Sequence, residues 1–167
     1  MALDIRSALR HLALIAALAV PAPGLAQGPS LAFGDNSANS DAPVEVEADS
    51  LAINQSDGTA EFSGNVLILQ GTMKLTATRV LVTYAEDQSR VQKLEATGGV
   101  VVVSGADAAE SDRADYDLDQ RSIVMIGNVV IVQGPNTLTS DRMTIDLEAG
   151  TARMDGRVRT LLKTGDK

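Results

Sequence analysis

The 167-residue sequence has no cysteine and no tryptophan, and its only histidine is His11. Without thiols there is no disulfide, no thiolate nucleophile and no cysteine-linked lipid anchor. Without a histidine beyond position 11, Ser–His and Cys–His catalysis and most transition-metal sites are excluded as well. A glycosidase needs only two carboxylates and stays formally open, but nothing else in the inventory points to an enzyme or calls for a cofactor. Bulky aromatics are nearly missing, with Phe33, Phe62, Tyr84 and Tyr116 the whole set. Long apolar runs are missing too. Leu12 to Val20 is an unbroken run of nine, whereas a membrane-spanning helix needs about 20.

That run of nine has a different meaning. Arg6 and Arg10 precede it, Pro21 and Pro23 end it, and Gly24-Leu25-Ala26 supplies small residues at the positions a signal peptidase reads. Residues 1–26 are therefore expected to be a cleaved secretory signal. Export without disulfides is compatible with a bacterial periplasm. Removing Arg6, Arg10 and Asp4 with the signal leaves 12 basic against 21 acidic side chains, a net charge of −9. Such a chain is a poor binder of nucleic acid or of anionic membrane surfaces by charge alone. Residues 27–43 are rich in Gly, Ser, Asn, Asp and Pro and read as a flexible lead-in. Residues 44–162 remain for one folded domain, and 163–167 for a tail.

Internal repetition dominates that domain. Residues 60–71 match residues 123–134 at an offset of 63 without a gap, and the match continues through Leu75/Leu138, Thr76/Thr139 and Arg79/Arg142. A Gly-x-Val mark recurs at 64, 98, 127 and 156 in steps of 34, 29 and 29. A second mark, an Ala/Ser-Asp/Thr pair read as the opening of a strand, recurs at 48, 77, 111 and 140 in steps of 29, 34 and 29. Both series place five extra residues in the interval around Ala85 to Gln92. The unit is thus about 29 residues, present about four times, with one loop insertion.

Within a unit the hydrophobic period is two. Ala60, Phe62, Val66 and Ile68 share a face, Ala114, Tyr116 and Leu118 alternate with Asp115, Asp117 and Asp119, and Met143, Ile145 and Leu147 alternate with Thr144, Asp146 and Glu148. This is the pattern of half-buried strands. Segments such as Ser56-Asp57-Gly58 and Gly134-Pro135-Asn136 mark turns. The predicted fold is all-β: a solenoid-like stack or open twisted jelly roll in which each unit buries its apolar face against its neighbours.

Several of these segments resemble the LptA/OstA family. They are Pro43-Val44-Glu45-Val46-Glu47-Ala48-Asp49, Phe62-Ser63-Gly64-Asn65-Val66, Gln70-Gly71-Thr72-Met73-Lys74-Leu75, Gly127-Asn128-Val129 and Ser140-Asp141-Arg142. The resemblance spans residues 43–162 and implies a twisted, open β-jelly roll in the periplasm. It also implies passage of lipopolysaccharide from an LptC-like inner-membrane partner to an LptD-like outer-membrane partner. The sequence departs from the pattern by ending soon after its fourth repeat.

Each candidate feature has a plain and a functional reading. Asp112, Asp115, Asp117 and Asp119 lack the central glycine and terminal glutamate of a calcium loop, and read as a solvated strand face. Arg79, Arg113 and Arg142 recur at one repeat position; they suit rung-to-rung ion pairs better than lipid phosphates. Gly64, Gly98 and Gly127 fall on the inward parity, where a bend or close packing needs them. Val44, Val46, Phe62, Val66, Ile68, Val100, Val102, Met125, Val129, Ile131, Met143 and Ile145 form one apolar stripe. Periodicity alone makes them a core. The resemblance implies that they receive the acyl chains of lipid A.

An open stack leaves unpaired strands at its ends. The first carries Glu45 and Glu47 on its polar face, and the last carries Arg157 and Arg159. Head-to-tail self-association by strand addition, with these charges opposed, is the expected use of the ends. The rival reading is a structural surface or adhesion solenoid with a dry core.

Overall fold

The computed structural model describes residues 30–34, 41–87 and 89–162. The predicted signal and the tail lie outside them. Alternating β-branched and polar residues make β-strands throughout, and among the described residues there is no helix. The strands are β1 (Ser30–Ala32), β2 (Val44–Glu47), β3 (Ser50–Asn54), β4 (Thr59–Gln70), β5 (Met73–Tyr84), β6 (Val91–Ser104), β7 (Asp107–Asp117), β8 (Ser122–Gln133), β9 (Asn136–Asp146), β10 (Thr151–Asp155) and β11 (Arg159–Leu161). They form one open antiparallel sheet in the order β1-β10-β9-β8-β7-β6-β5-β4-β2, with β3 also on β4 and β11 also on β9. The expected all-β jelly roll is the fold observed.

Every long strand turns a corner at mid-length. The ladder breaks between Ser63 and Val66, Thr97 and Val100, and Ile126 and Val129, each time against one residue fewer on the partner strand. Two consecutive residues at each break are left-handed: Gly64-Asn65, Gly98-Gly99, Gly127-Asn128 and, beyond β10, Gly156-Arg157. The second sequence mark lies opposite. A Cβ on Gly64, Gly98, Gly127 or Gly156 would come closer than 3.0 Å to Asp49, Thr78, Asp112 or Asp141 respectively. Asp49 and Asp112 accept from the side-chain amides of Asn65 (2.8 Å) and Asn128 (2.9 Å), and Thr78 donates to the Gly98 carbonyl at 2.7 Å. The pair at 77, 111 and 140 thus sits inside β5, β7 and β9, at the corner, and opens no strand. Only after position 48 does a short strand begin, because there the corner has split β2 from β3.

The corners divide the sheet into two leaves. The first comprises β3, 59–63, 79–84, 91–97, 113–117, 122–126, 142–146, β10 and β1; the second comprises β2, 66–70, 73–77, 100–104, 107–111, 129–133, 136–140 and β11. Their apolar faces merge into one buried cluster that draws on both leaves. The insertion around residues 85–92 is the β5–β6 connection, closed by a hydrogen bond from the Ala85 amide to the Arg90 carbonyl (2.9 Å).

The lead-in read as flexible is in part ordered structure. Ser30, Leu31 and Ala32 pair with Arg153, Ala152 and Thr151 of β10, and Phe33 is 1% exposed. Further along, Asp41 pairs with Arg121 at 2.8 Å, and the Ala42 carbonyl accepts from Gln70. Apolar Leu31 and Phe33 stand among small polar residues, and composition averaged over the segment conceals them.

Candidate functional site: the apolar interior and the sheet edges

The interior is built by strand alternation from both leaves. Val66, Ile68, Val100, Val102, Met125, Val129, Ile131, Met143 and Ile145 are all 0–1% exposed and lie in one cluster. Val44, Val46 and Phe62 are half-buried and pack against it at the β2–β4 end. The structure thus brings together all twelve residues predicted for the stripe. Leu75, Val80, Val82, Leu94, Tyr116, Ile123 and Met154 join the same interior. Parity read straight through a strand misses some of these. In β5 the inward set is Leu75 and Ala77, then Val80 and Val82, because the corner shifts the alternation by one residue.

Opposite the corner line, the leaves meet at a mouth. The Tyr116 hydroxyl in the first leaf donates to Oε1 of Gln70 in the second at 2.6 Å, a buried contact between residues 46 apart in sequence. Burial pushes the Tyr116 phenol above its ordinary range, partly offset by that hydrogen bond. Nearby, the Gly34 amide donates to Asp107 at 2.9 Å, and Gln133 donates to both Ala32 O (2.9 Å) and Asp107 (3.0 Å). The uncharged Tyr116–Gln70 hydrogen bond and the Asp41–Arg121 ion pair thus join the leaves at the mouth, and the segment around Phe33 is tied to both leaves.

The charged candidates lie outside the interior. Arg79 pairs with Glu61 and Arg113 with Glu95 (3.3 Å) of the neighbouring strands, as rung-to-rung pairing predicts, while Arg113 also pairs at 2.8 Å with Asp115 of its own strand. Arg142 stands opposite Asp155 in register, but that carboxylate is taken by Arg153 at 3.3 Å. The four aspartates have separate duties. Asp112 holds a corner, Asp115 pairs with Arg113, Asp117 accepts from the Gln120 amide (2.9 Å), and Asp119 pairs with Arg90. The Arg90 guanidinium, with help from Gln92, holds the Asp119 carboxyl below its usual range.

At the edges, the four charged candidates separate. Glu45 and Glu47 are exposed on β2, and Arg159 is exposed on β11. These strands are opposite edges of the same leaf. Arg157 belongs elsewhere. It takes the left-handed corner position filled by Asn65 and Asn128 in earlier repeats, and its guanidinium grips Asp141 of its own chain at 2.6–3.0 Å. That pairing lowers the Asp141 pKa. Placing Arg157 on the docking face was a parity count that the left-handed residue breaks. Sequence reasoning also missed β1, although one signal was present: Ser30-Leu31-Ala32-Phe33 echoes Ser50-Leu51-Ala52-Ile53.

A bent antiparallel sheet with one buried apolar interior and strands left open at its ends defines an open β-jelly roll. The chain belongs to the LptA/(LptD N-terminal domain) family of LPS transport proteins, whose family model matches residues 45–151. It is 28% identical over 126 residues to an uncharacterised protein of Rhizobium meliloti (strain 1021), covering 71% of this chain and 68% of that one. A shorter stretch of 45 residues is 36% identical to the lipopolysaccharide export system protein LptA of Escherichia coli (strain K12), covering 27% of this chain and 24% of that protein. In fold it is similar to LptH, described as the LptA-homologous periplasmic component of the lipopolysaccharide transport device of Pseudomonas aeruginosa. The TM-score is 0.67 at 18% identity, covering 75% of this chain and 98% of that one.

Proposed function

We propose that this protein, exported to the periplasm by its first 26 residues, carries lipopolysaccharide between an LptC-like inner-membrane partner and an LptD-like outer-membrane partner. It performs no chemistry of its own and uses no cofactor. The acyl chains of lipid A enter between the leaves, against Val44, Val46, Phe62, Val66, Ile68, Val100, Val102, Met125, Val129, Ile131, Met143 and Ile145. The observation that carries this reading is the continuity of the interior: apolar side chains from successive strands form one cluster from the β2–β4 end to β10, in a chain of an LPS transport family.

Energetics favour the acyl part of the ligand. Each buried methylene contributes about 0.8 kcal/mol, so a chain of about a dozen contributes roughly 10 kcal/mol before ordering costs. A strongly acidic protein gains nothing general from an anionic headgroup. Small β-branched side chains with few aromatics leave room for such chains once the leaves part at the mouth. Successive copies join head to tail, β2 of one against β11 of the next, with Glu45 and Glu47 facing Arg159.

Photo-crosslinking in cells tests the carrier role. A photoreactive residue at Ile131, 0% exposed, is expected to give lipopolysaccharide adducts, and one at Val132, 47% exposed on the opposite face, is expected to give none. Adducts at neither site in a folded, exported protein would instead assign the interior to a dry structural core.

A further inference from the structure

We infer that the edge of β10 is an acceptor site for a strand of sequence Ser-Leu-Ala-apolar, filled in the lone chain by β1 and in an assembly by β3 of a second copy. The inference rests on the head-to-tail reading above and adds to it an internal competitor. Ser30-Leu31-Ala32-Phe33 and Ser50-Leu51-Ala52-Ile53 differ only at their last residue. Both are strands at opposite ends of the same leaf. Both turn their apolar residues inward: Leu31 lies opposite Ala152, while Leu51 and Ile53 lie opposite Phe62 and Ala60. Their surroundings differ sharply. Phe33 is 1% exposed, whereas Leu51 and Ile53 are 51% and 67% exposed with no further strand beyond them among the described residues.

Direction agrees as well. The chain runs from corner to mouth in β3 and from mouth to corner in β10, so β3 of a second copy laid on β10 is antiparallel to it, as β1 is. Covering an edge blunts uncontrolled strand addition. A cover of three ladder residues, with Phe33 beside it, is shorter than the five-residue β3 and its four-residue continuation β2. Linkage within one chain gives β1 a high effective concentration; the longer strand pair gives the incoming copy more hydrogen bonds. Exchange between the two covers is thereby set by protein concentration.

Leu31 and Ala152 are direct antiparallel partners, about 4.5–5.5 Å apart at Cα, within the range a disulfide spans. The sequence has no other cysteine, so Leu31→Cys/Ala152→Cys gives a reversible lock. A photoreactive residue at Ile53 reports the second copy. Adducts mapping to residues 151–154 of the partner are expected to fall at least fivefold when the lock is oxidised and to return on reduction. They are expected to rise severalfold in the Leu31→Asp/Phe33→Asp protein. Unchanged adducts in the locked form would overturn the competition and leave head-to-tail pairing standing. No adduct at 151–154 in any form, with β1 released and the reduced protein folded, would overturn both.

Discussion

At one end of the sheet, Leu51 and Ile53 of β3 are 51% and 67% exposed. At the other, Ala152 and Met154 of β10, in the same leaf, are 1% and 2% exposed. The two ends have similar ingredients, a short strand of alternating apolar residues beside a left-handed corner, so intrinsic preference does not separate them. Among the described residues the difference is one more strand, three residues long, laid on β10 but not on β3. Burial in a stacked sheet is therefore a property of the neighbour more than of the strand itself.

The largest expected effect contrasts the interior with the open end. Ile131→Asp places an unpaired charge at a site 0% exposed and is expected to cost more than about 4 kcal/mol. Ile53→Asp, at the open edge, is expected to stay within about 0.5 kcal/mol of the parent in denaturant unfolding. Equal losses from the two would erase the distinction. Next come the corners. Gly127→Ala forces a Cβ against Asp112 at φ +82° and is expected to cost about 2–4 kcal/mol. Gly58→Ala, in an open turn at φ +61° with nothing within 4 Å, is expected to cost about 1 kcal/mol.

Arg159→Glu is expected to weaken self-association about tenfold in sedimentation, with recovery in the Glu45→Lys/Glu47→Lys partner. Arg157→Gln is expected to leave association unchanged, because Arg157 serves its own corner. The smallest effect is at the mouth, where Tyr116→Phe removes one hydrogen bond and is expected to cost about 1 kcal/mol. The Tyr116 phenol is shifted upward by burial. Its stabilisation is fully present below the ordinary phenol range and is lost as pH rises through the folded value. The Phe variant is expected to lack that alkaline loss in pH-dependent unfolding.

Much of this was legible in the residues. The marks at 64, 98, 127 and 156 are the corners, and alternation placed Ile131 and Met143 inside, because a leaf with one buried face enforces period two. Three things were hidden. Leu31 and Phe33 sit among small polar residues, and their partner β10 is about 120 residues away in sequence. Arg157 looked like a strand residue because nothing in its own side chain announces a left-handed backbone. The Asp/Thr marks looked like strand starts because their partner, a glycine without a side chain, leaves no trace in the hydrophobic pattern.

The Tyr116–Gln70 contact has a bearing on how the mouth and the ends respond to solution conditions. Both groups are uncharged at neutral pH, so breaking that hydrogen bond separates no ions, although parting the leaves also breaks the neighbouring Asp41–Arg121 pair. The proposed docking of Glu45 and Glu47 with Arg159 does bring ions together, in the open, where added salt screens them over about 8 Å at physiological strength. Ionic strength thus acts differently on the two places: raising it loosens the chain of copies, while at the entrance it weakens the exposed Asp41–Arg121 pair and leaves the Tyr116–Gln70 hydrogen bond as tight as before.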